Sequence, residues 1–206
     1  MNLLDLPEEC IAAVISFTSP QDACRISAVS KLLRSAADSN SAWERFLPSD
    51  PRLLSHKQLF LRFCESPLLI DDGRTSFWME KRSGKKCWML SARKLEIVWV
   101  DSPEYWSWIS IWTQGNISTS TLSKGTVYGA YLVFKGEIGA FGFMSQPLET
   151  RFGRPFLESG MQEDGWLEIE IGEYYVGFDE EELEMSVLET REGGWKGGIF
   201  KGSRLG

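Results

Sequence analysis

One histidine, four cysteines and a tight run of aromatic rings are the residues of this chain with the most chemistry to offer. His56 stands alone, so a histidine-rich metal site cannot form, and a serine or cysteine triad would depend on that single ring. Cys10, Cys24, Cys64 and Cys87 contain no C-x-x-C pair, and among apolar neighbours they read as reduced thiols in a reducing compartment. No catalytic residue, metal or other cofactor is predicted. Glu168 and Glu170 alternate along one segment and would be the pair for glycoside hydrolysis, although alternating acids on a strand are commonly just its wet face. The aromatic run is Trp99, Tyr105, Trp106 and Trp108, in a chain with 9 tryptophans among 206 residues. A flat indole or phenol face stacks on the apolar face of a pyranose while nearby polar groups take the hydroxyls. Trp106 and Trp108 share parity, so an extended segment puts both on one face. On a loop these four residues make a sugar-binding platform; in strands the same rings would fill a core.

The elements that must position these residues change period along the chain. Residues 1–64 read as short helices. Asp5-Leu6-Pro7-Glu8 is a start signal, with Asp5 as cap and Pro7 in the first turn, followed by Leu6, Cys10, Ile11, Val14 and Ile15 on one face. Ser19-Pro20-Gln21-Asp22 opens a second helix with Ala23, Ile26 and Val29 as its stripe, and Lys31 to Ala37 forms a third. Ser41-Ala42-Trp43-Glu44 has the capping-box pattern of a fourth, and Ser55-His56-Lys57-Gln58 opens a last one carrying Leu59 and Phe63. Helices this short depend on tertiary packing, and so small a module buries little core. It needs bracing by the rest of the chain or completion by a partner.

From Pro67 onward the pattern is that of strands. Segments 76–80 and 87–90 flank a polar turn, and 95–100, 127–134, 166–171 and 183–188 follow, separated by turn residues. Leu167, Ile169 and Ile171 alternate with acids. The prediction is α+β in two modules: a small all-α module over residues 1–48, a linker helix over 49–66, and an antiparallel all-β sandwich, jelly-roll-like, over 67–206. The net charge of −7 argues against a general nucleic-acid binder. No stretch of about 18 apolar residues suggests a membrane span, and the acidic first residues do not read as a signal peptide. Lys81-Arg82-Ser83-Gly84-Lys85-Lys86 reads as a solvated hairpin turn, with an anion site or a nuclear import signal as the alternatives.

The N-terminal pattern of Leu6-Pro7, Ile11, Ile15, Asp22-Ala23-Cys24, Val29-Ser30-Lys31 and Trp43 resembles the F-box, and it spans nearly all of residues 1–48. That resemblance implies docking onto a Skp-type adaptor and, through it, a cullin scaffold within an SCF ubiquitin ligase. The residues it singles out for the interface or its supporting core are Leu6, Pro7, Ile11, Val14, Ile15 and Trp43. An exposed apolar patch rimmed by Glu8, Glu9 and Arg25 would mark such a docking surface. Residues 67–200 resemble the phloem-lectin domain found after the F-box in a large plant family. The resemblance rests on Ser76-Phe77-Trp78, Gly84-Lys85-Lys86-Cys87, Met89-Leu90-Ser91-Ala92-Arg93, Ile97-Val98-Trp99, Tyr105-Trp106-Ser107-Trp108, Ala130-Tyr131-Leu132-Val133-Phe134, Asp164-Gly165-Trp166-Leu167-Glu168-Ile169 and Glu184-Met185-Ser186. It implies recognition of a target protein or an N-acetylglucosamine-containing glycan, with Trp99, Tyr105, Trp106 and Trp108 as the carbohydrate-binding candidates.

Two departures stand out. Trp112 follows the aromatic run sooner than in the family, and Lys201-Gly202-Ser203-Arg204-Leu205-Gly206 is polar where the family closes with an apolar strand; a missing strand would leave an open sheet edge. The resulting expectation is a non-catalytic substrate receptor of a ubiquitin ligase in the cytoplasm or nucleus. Its rivals are a stand-alone intracellular lectin of the stress response and a glycan-acting enzyme.

Overall fold

The computed structural model describes residues 5–47, 55–97, 112–141, 148–150, 160–161, 165–189 and 196–206. The chain divides into two compact units. The first comprises Met1–Leu68 with Phe77–Lys86, and the second Leu69–Ser76 with Cys87–Gly206.

The first unit contains α1 (Glu8–Ser16), α2 (Pro20–Ser27), α3 (Lys31–Asp38), α4 (Asn40–Trp43), a 3-10 turn over Glu44–Phe46, and α5 (His56–Glu65). Local signals explain most of these boundaries. The Ser19 hydroxyl accepts from the Asp22 N–H at 3.1 Å with Pro20 at the first helical position, and Ser30 caps α3 through the Leu33 N–H. Ser55 and Gln58 complete the capping box that opens α5. Three expectations fail. Pro7 is itself the N-cap of α1 and offers no side-chain acceptor, so α1 starts without a side-chain cap. The pattern Ser41-Ala42-Trp43-Glu44 forms no capping box, because α4 already begins at Asn40 behind Ser39 and is one turn long. Val29 lies beyond the end of α2 and is exposed rather than part of its stripe.

Alanines let these helices approach closely: Ala12, Ala23, Ala36, Ala37 and Ala42 are all buried where α1 meets α3 and α4, and α2 meets α3. Trp43 is the largest buried side chain. Its Nε1–H donates to the Ala37 carbonyl at 2.6 Å, and its ring lies 5.1 Å from Phe60 and 6.1 Å from Phe46. Residues 56–65, read from the sequence as part of a linker helix over 49–66, thus supply part of this aromatic core. The His56 N–H donates to the Asn40 side chain and Lys57 pairs with Asp38, which ties the start of α5 to α3 and α4. Phe63 meets Phe77 edge to face at 5.4 Å.

The second unit is a two-layer antiparallel sandwich, as the sequence pattern predicts. Its strands are β1 (Leu68–Ile70), β2 (Thr75–Met79), β3 (Lys86–Ser91), β4 (Glu96–Ile97), β5 (Trp112–Ser118), β6 (Thr126–Phe141), β7 (Leu148–Thr150), β8 (Gly160–Met161), β9 (Leu167–Val176), β10 (Glu182–Glu189) and β11 (Lys196–Leu205). The tip of the β2–β3 hairpin counts with the first unit and its base with the second. One sheet runs β1-β2-β3-β11-β6-β9-β8 and the other β4-β5-β10-β7. Alternation fills the space between the layers. Tyr128, Ala130, Leu132 and Phe134 of β6, with Ile169 and Ile171 of β9, pack against a core that Leu183, Met185 and Val187 of β10 share.

The polar end of the chain is the main correction. β11 is not a missing edge: it lies between β3 and β6, antiparallel to both, with Ser203 and Leu205 buried. Composition misleads here because an inward serine and leucine alternate with Gly202 and Arg204, so the strand carries few apolar residues while still facing the core.

Candidate functional site

The strongest surface feature of the first unit is apolar. Val14, Phe17, Val29 and Leu32 are exposed, Phe17 and Val29 at 76% and 73%. Phe17 directly follows α1 and carries the Arg45 guanidinium over its ring at 4.5 Å. These side chains lie outside the module's buried core, and apart from the Arg45–Phe17 contact no ring or cation contact is seen at them among the described residues. Large apolar groups left in water on a small, self-packed module are the mark of a surface that meets a partner.

The six adaptor-site candidates separate against this background. Ile11, Ile15 and Trp43 are buried in the module's own core, Leu6 is half-buried, and Pro7 and Val14 are exposed. Ile11, Ile15 and Trp43 therefore belong to the module's core, and of the six only Pro7 and Val14 are exposed to solvent. Sequence reasoning missed Phe17 and Leu32, and it misplaced Val29 inside a helix stripe. The available signal was that these positions fall off the period of the buried residues Ile11, Ile15 and Leu33. Glu8 accepts from the Ser35 hydroxyl at 2.7 Å and Arg25 pairs with Asp22, so Glu8 and Arg25 of the expected rim are already engaged inside the module. The Ser19 hydroxyl first, then the hydrogen bond and charge of Arg25, hold the Asp22 carboxyl below its ordinary value.

Trp99, Tyr105, Trp106 and Trp108 lie outside the described residues. The described outer face of the larger sheet instead shows a polar and aromatic cluster centred on Arg204. Its guanidinium donates to both oxygens of Glu168 at 2.9 Å, across from β11 to β9, and lies 4.3 Å over the Tyr131 ring of β6. Burial, then the charge of Glu170, raises the Tyr131 phenol, and the Arg204 charge partly opposes them. Glu168 is thus committed at both oxygens to a guanidinium, which is the wrong setting for a proton-transferring carboxylate. Among the described residues no group of three or more histidine, cysteine or acidic side chains could hold a metal ion, and no helix is long and apolar enough to cross a membrane.

The comparisons with known proteins point to the same two modules. The F-box domain profile matches residues 3–45, and the phloem protein 2 profile matches residues 85–114 and 111–202. Relatives are found in Arabidopsis thaliana. A protein designated PP2-B12 is 68% identical over an alignment of 239 positions, gaps included, which covers 97% of this chain and 95% of the relative. F-box protein PP2-B10 is 38% identical, covering 94% of this chain and 89% of its own length, and F-box protein PP2-B15 is 34% identical, covering 94% and 93%. The two pieces of the phloem protein 2 match meet at 111–114, just after the aromatic run, where the sequence reading finds the family's spacing shortened.

Proposed function

Since the chain belongs to the plant F-box proteins that carry a phloem protein 2 domain, we propose that it is a substrate receptor of an SCF-type ubiquitin ligase. The F-box unit docks onto a Skp-type adaptor and so onto a cullin scaffold, while the sandwich presents a target. The observation that carries this reading is the exposed apolar set Val14, Phe17, Val29 and Leu32, which lies outside the module's buried core. No residue of this chain performs the ligation. Its contribution is proximity, which raises the concentration of the target near the charged ubiquitin carrier. The phloem protein 2 match supports a glycan or glycoprotein as the target, with Trp99, Tyr105, Trp106 and Trp108 as the sugar-stacking candidates. The free cysteines Cys10, Cys24, Cys64 and Cys87 suit the reducing cytoplasm or nucleus, where we place the protein.

The test is co-purification with a plant Skp-type adaptor. Replacing exposed side chains leaves the core intact, so a Val14→Lys/Val29→Lys chain is expected to keep its stability within about 0.5 kcal/mol. Its adaptor affinity should fall by about tenfold or more. A folded wild-type chain that binds no adaptor would remove the ligase reading. Glycan binding in that same chain would then favour a stand-alone lectin.

A further inference from the structure

The first unit contains a cleft that neither module's resemblance explains. It measures about 470 Å³ and is lined by Pro20, Gln21, Cys24 and Arg25 of α2, Trp43 of α4, Phe60 and Leu61 of α5, and Lys81 and Arg82 of the hairpin tip. Its walls are apolar. Its charged lining residues are Arg25, Lys81 and Arg82, with no carboxylate among them, in a chain whose net charge is −7. Arg25 is shared with Asp22 and Arg82 lies in the field of the Glu80 carboxylate, whereas no ion pair engages Lys81 among the described residues.

The cationic side of the cleft is held in place. The tip closes through Glu80 N–H to the Lys85 carbonyl and Gly84 N–H to the Glu80 carbonyl, both at 2.9 Å. The Glu80 carboxylate accepts from the Arg82 and Ser83 N–H groups at 3.0 and 2.6 Å. The Gln21 N–H reaches the Arg82 carbonyl at 3.4 Å, which ties the tip to α2. Gly84 sits at φ +75°, and a Cβ there would come within 2.7 Å of Phe46 and 2.9 Å of Pro20, so only glycine lets the tip close this far. Cations on a preorganised turn lose little entropy when they meet an anion.

From this geometry we infer that the cleft is a binding site for a small amphipathic organic anion, an aromatic or otherwise apolar body bearing a carboxylate or similar head group. The volume falls in the range of small-molecule pockets. The apolar body packs against Trp43, Phe60 and Leu61, and the head group meets Lys81 and Arg82. A bare inorganic anion would leave the apolar walls unused, and a neutral ligand would leave the Lys81 charge without a counter-ion. None of its lining residues belongs to the exposed apolar set Val14, Phe17, Val29 and Leu32, and it does not depend on the target of the sandwich.

The experiment uses the full chain with 2-naphthoate as probe and 2-naphthalenemethanol as its neutral counterpart, both titrated by ligand-observed NMR. Naphthoate should bind about tenfold more tightly than the alcohol, one charge-assisted contact's worth. Lys81→Glu/Arg82→Glu should erase that difference, and Cys24→Trp, which fills the mouth, should abolish binding of both. Cys24 and Cys10 are both exposed, but only Cys24 lines the cleft, so saturating naphthoate should slow alkylation of Cys24 and leave Cys10 unchanged. Equal affinity for the two probes, or no selective protection of Cys24, overturns the proposal. So does protection of Cys24 by the Skp-type adaptor alone, which would make the cleft part of a protein interface. Either variant is read only after circular dichroism and melting show a wild-type fold, and the Cys24 protection in the wild-type chain decides the matter if both variants misfold.

Discussion

The helical unit and the sandwich treat large apolar side chains differently. The helical unit buries Trp43, Phe60 and Ile11 at its centre and yet leaves Val14, Phe17, Val29 and Leu32 in water within a short stretch of chain. The sandwich closes its core between two sheets, with Phe134, Ile169 and Met185 among its fully enclosed residues, and its exposed Val127, Tyr175 and Phe178 lie at one end of the β6–β9 pair. A second layer gives a sheet somewhere to hide a whole face. Short helices have no second layer, so part of their apolar surface stays available to a partner. Under the proposed function, the helical unit is the one expected to gain stability when an adaptor docks on it, and the sandwich is the one expected not to.

The sharpest way to break that comparison is to remove the centre of the helical unit. Trp43→Ala deletes the ring contacts to Phe46 and Phe60 and orphans the Ala37 carbonyl. The expected cost is about 3–5 kcal/mol, as for large-to-small changes in a core. Hydrogen exchange read peptide by peptide should show α1 to α5 losing protection while β6, β9 and β10 keep theirs. Equal loss in both units would show that they fold as one cooperative body, and the contrast between them would fail.

The matching change in the sandwich is smaller. Arg204→Ala leaves Glu168 partly buried without its two hydrogen bonds and uncovers the Tyr131 ring, at an expected cost of about 1–3 kcal/mol. Because an apolar replacement of both partners can recover much of that cost, Glu168→Leu/Arg204→Met should lie closer to wild type than Arg204→Ala does. Denaturant unfolding of the three chains measures this. A double change as damaging as the single one would mean that Arg204 matters for its stacking on Tyr131 rather than for its charge.

The sequence was legible where one local rule decides the outcome. Ser19 with Pro20, and Ser55 with Gln58, mark α2 and α5 because a hydroxyl two or three residues upstream of a free N–H is a local interaction. The alternation of Leu167, Ile169 and Ile171 marks β9 because one face of the strand is buried. It was illegible where distant parts of the chain decide. Lys196–Leu205 is glycine-rich and polar, and nothing within it shows that β3 and β6 will flank it on both sides. Ser41 and Glu44 match a capping box, but Ser39 starts α4 earlier. The cleft was invisible for the same reason, since Pro20, Phe60 and Arg82 come from three separate segments. Only its basic run, Lys81 to Lys86, showed in the sequence, as one alternative reading of a hairpin turn.

That hairpin turn gives the finest comparison between the units, because its stability has a pH signature. Burial alone would raise the Glu80 carboxyl, but the Ser83 hydroxyl and the N–H groups of Arg82 and Ser83 outweigh it and hold the group below the ordinary glutamate value of 4.5. A carboxyl depressed in the folded state contributes stability that is fully present above its unfolded value and is lost as pH falls through its folded one. Glu80→Gln keeps an oxygen acceptor for the turn but loses the charge. Solvent screening at this half-buried position limits the cost to less than about 1 kcal/mol at neutral pH. The deficit should shrink as the pH falls below 4.5, because the wild-type carboxyl then takes up the proton that the amide replaces. Unfolding of both chains at neutral and acid pH, followed through exchange in Phe77–Lys86, checks this. A deficit that stays constant with pH would mean that the turn is held by the shape of the side chain alone, and the charge on Glu80 could be dispensed with in organising the cationic mouth of the cleft.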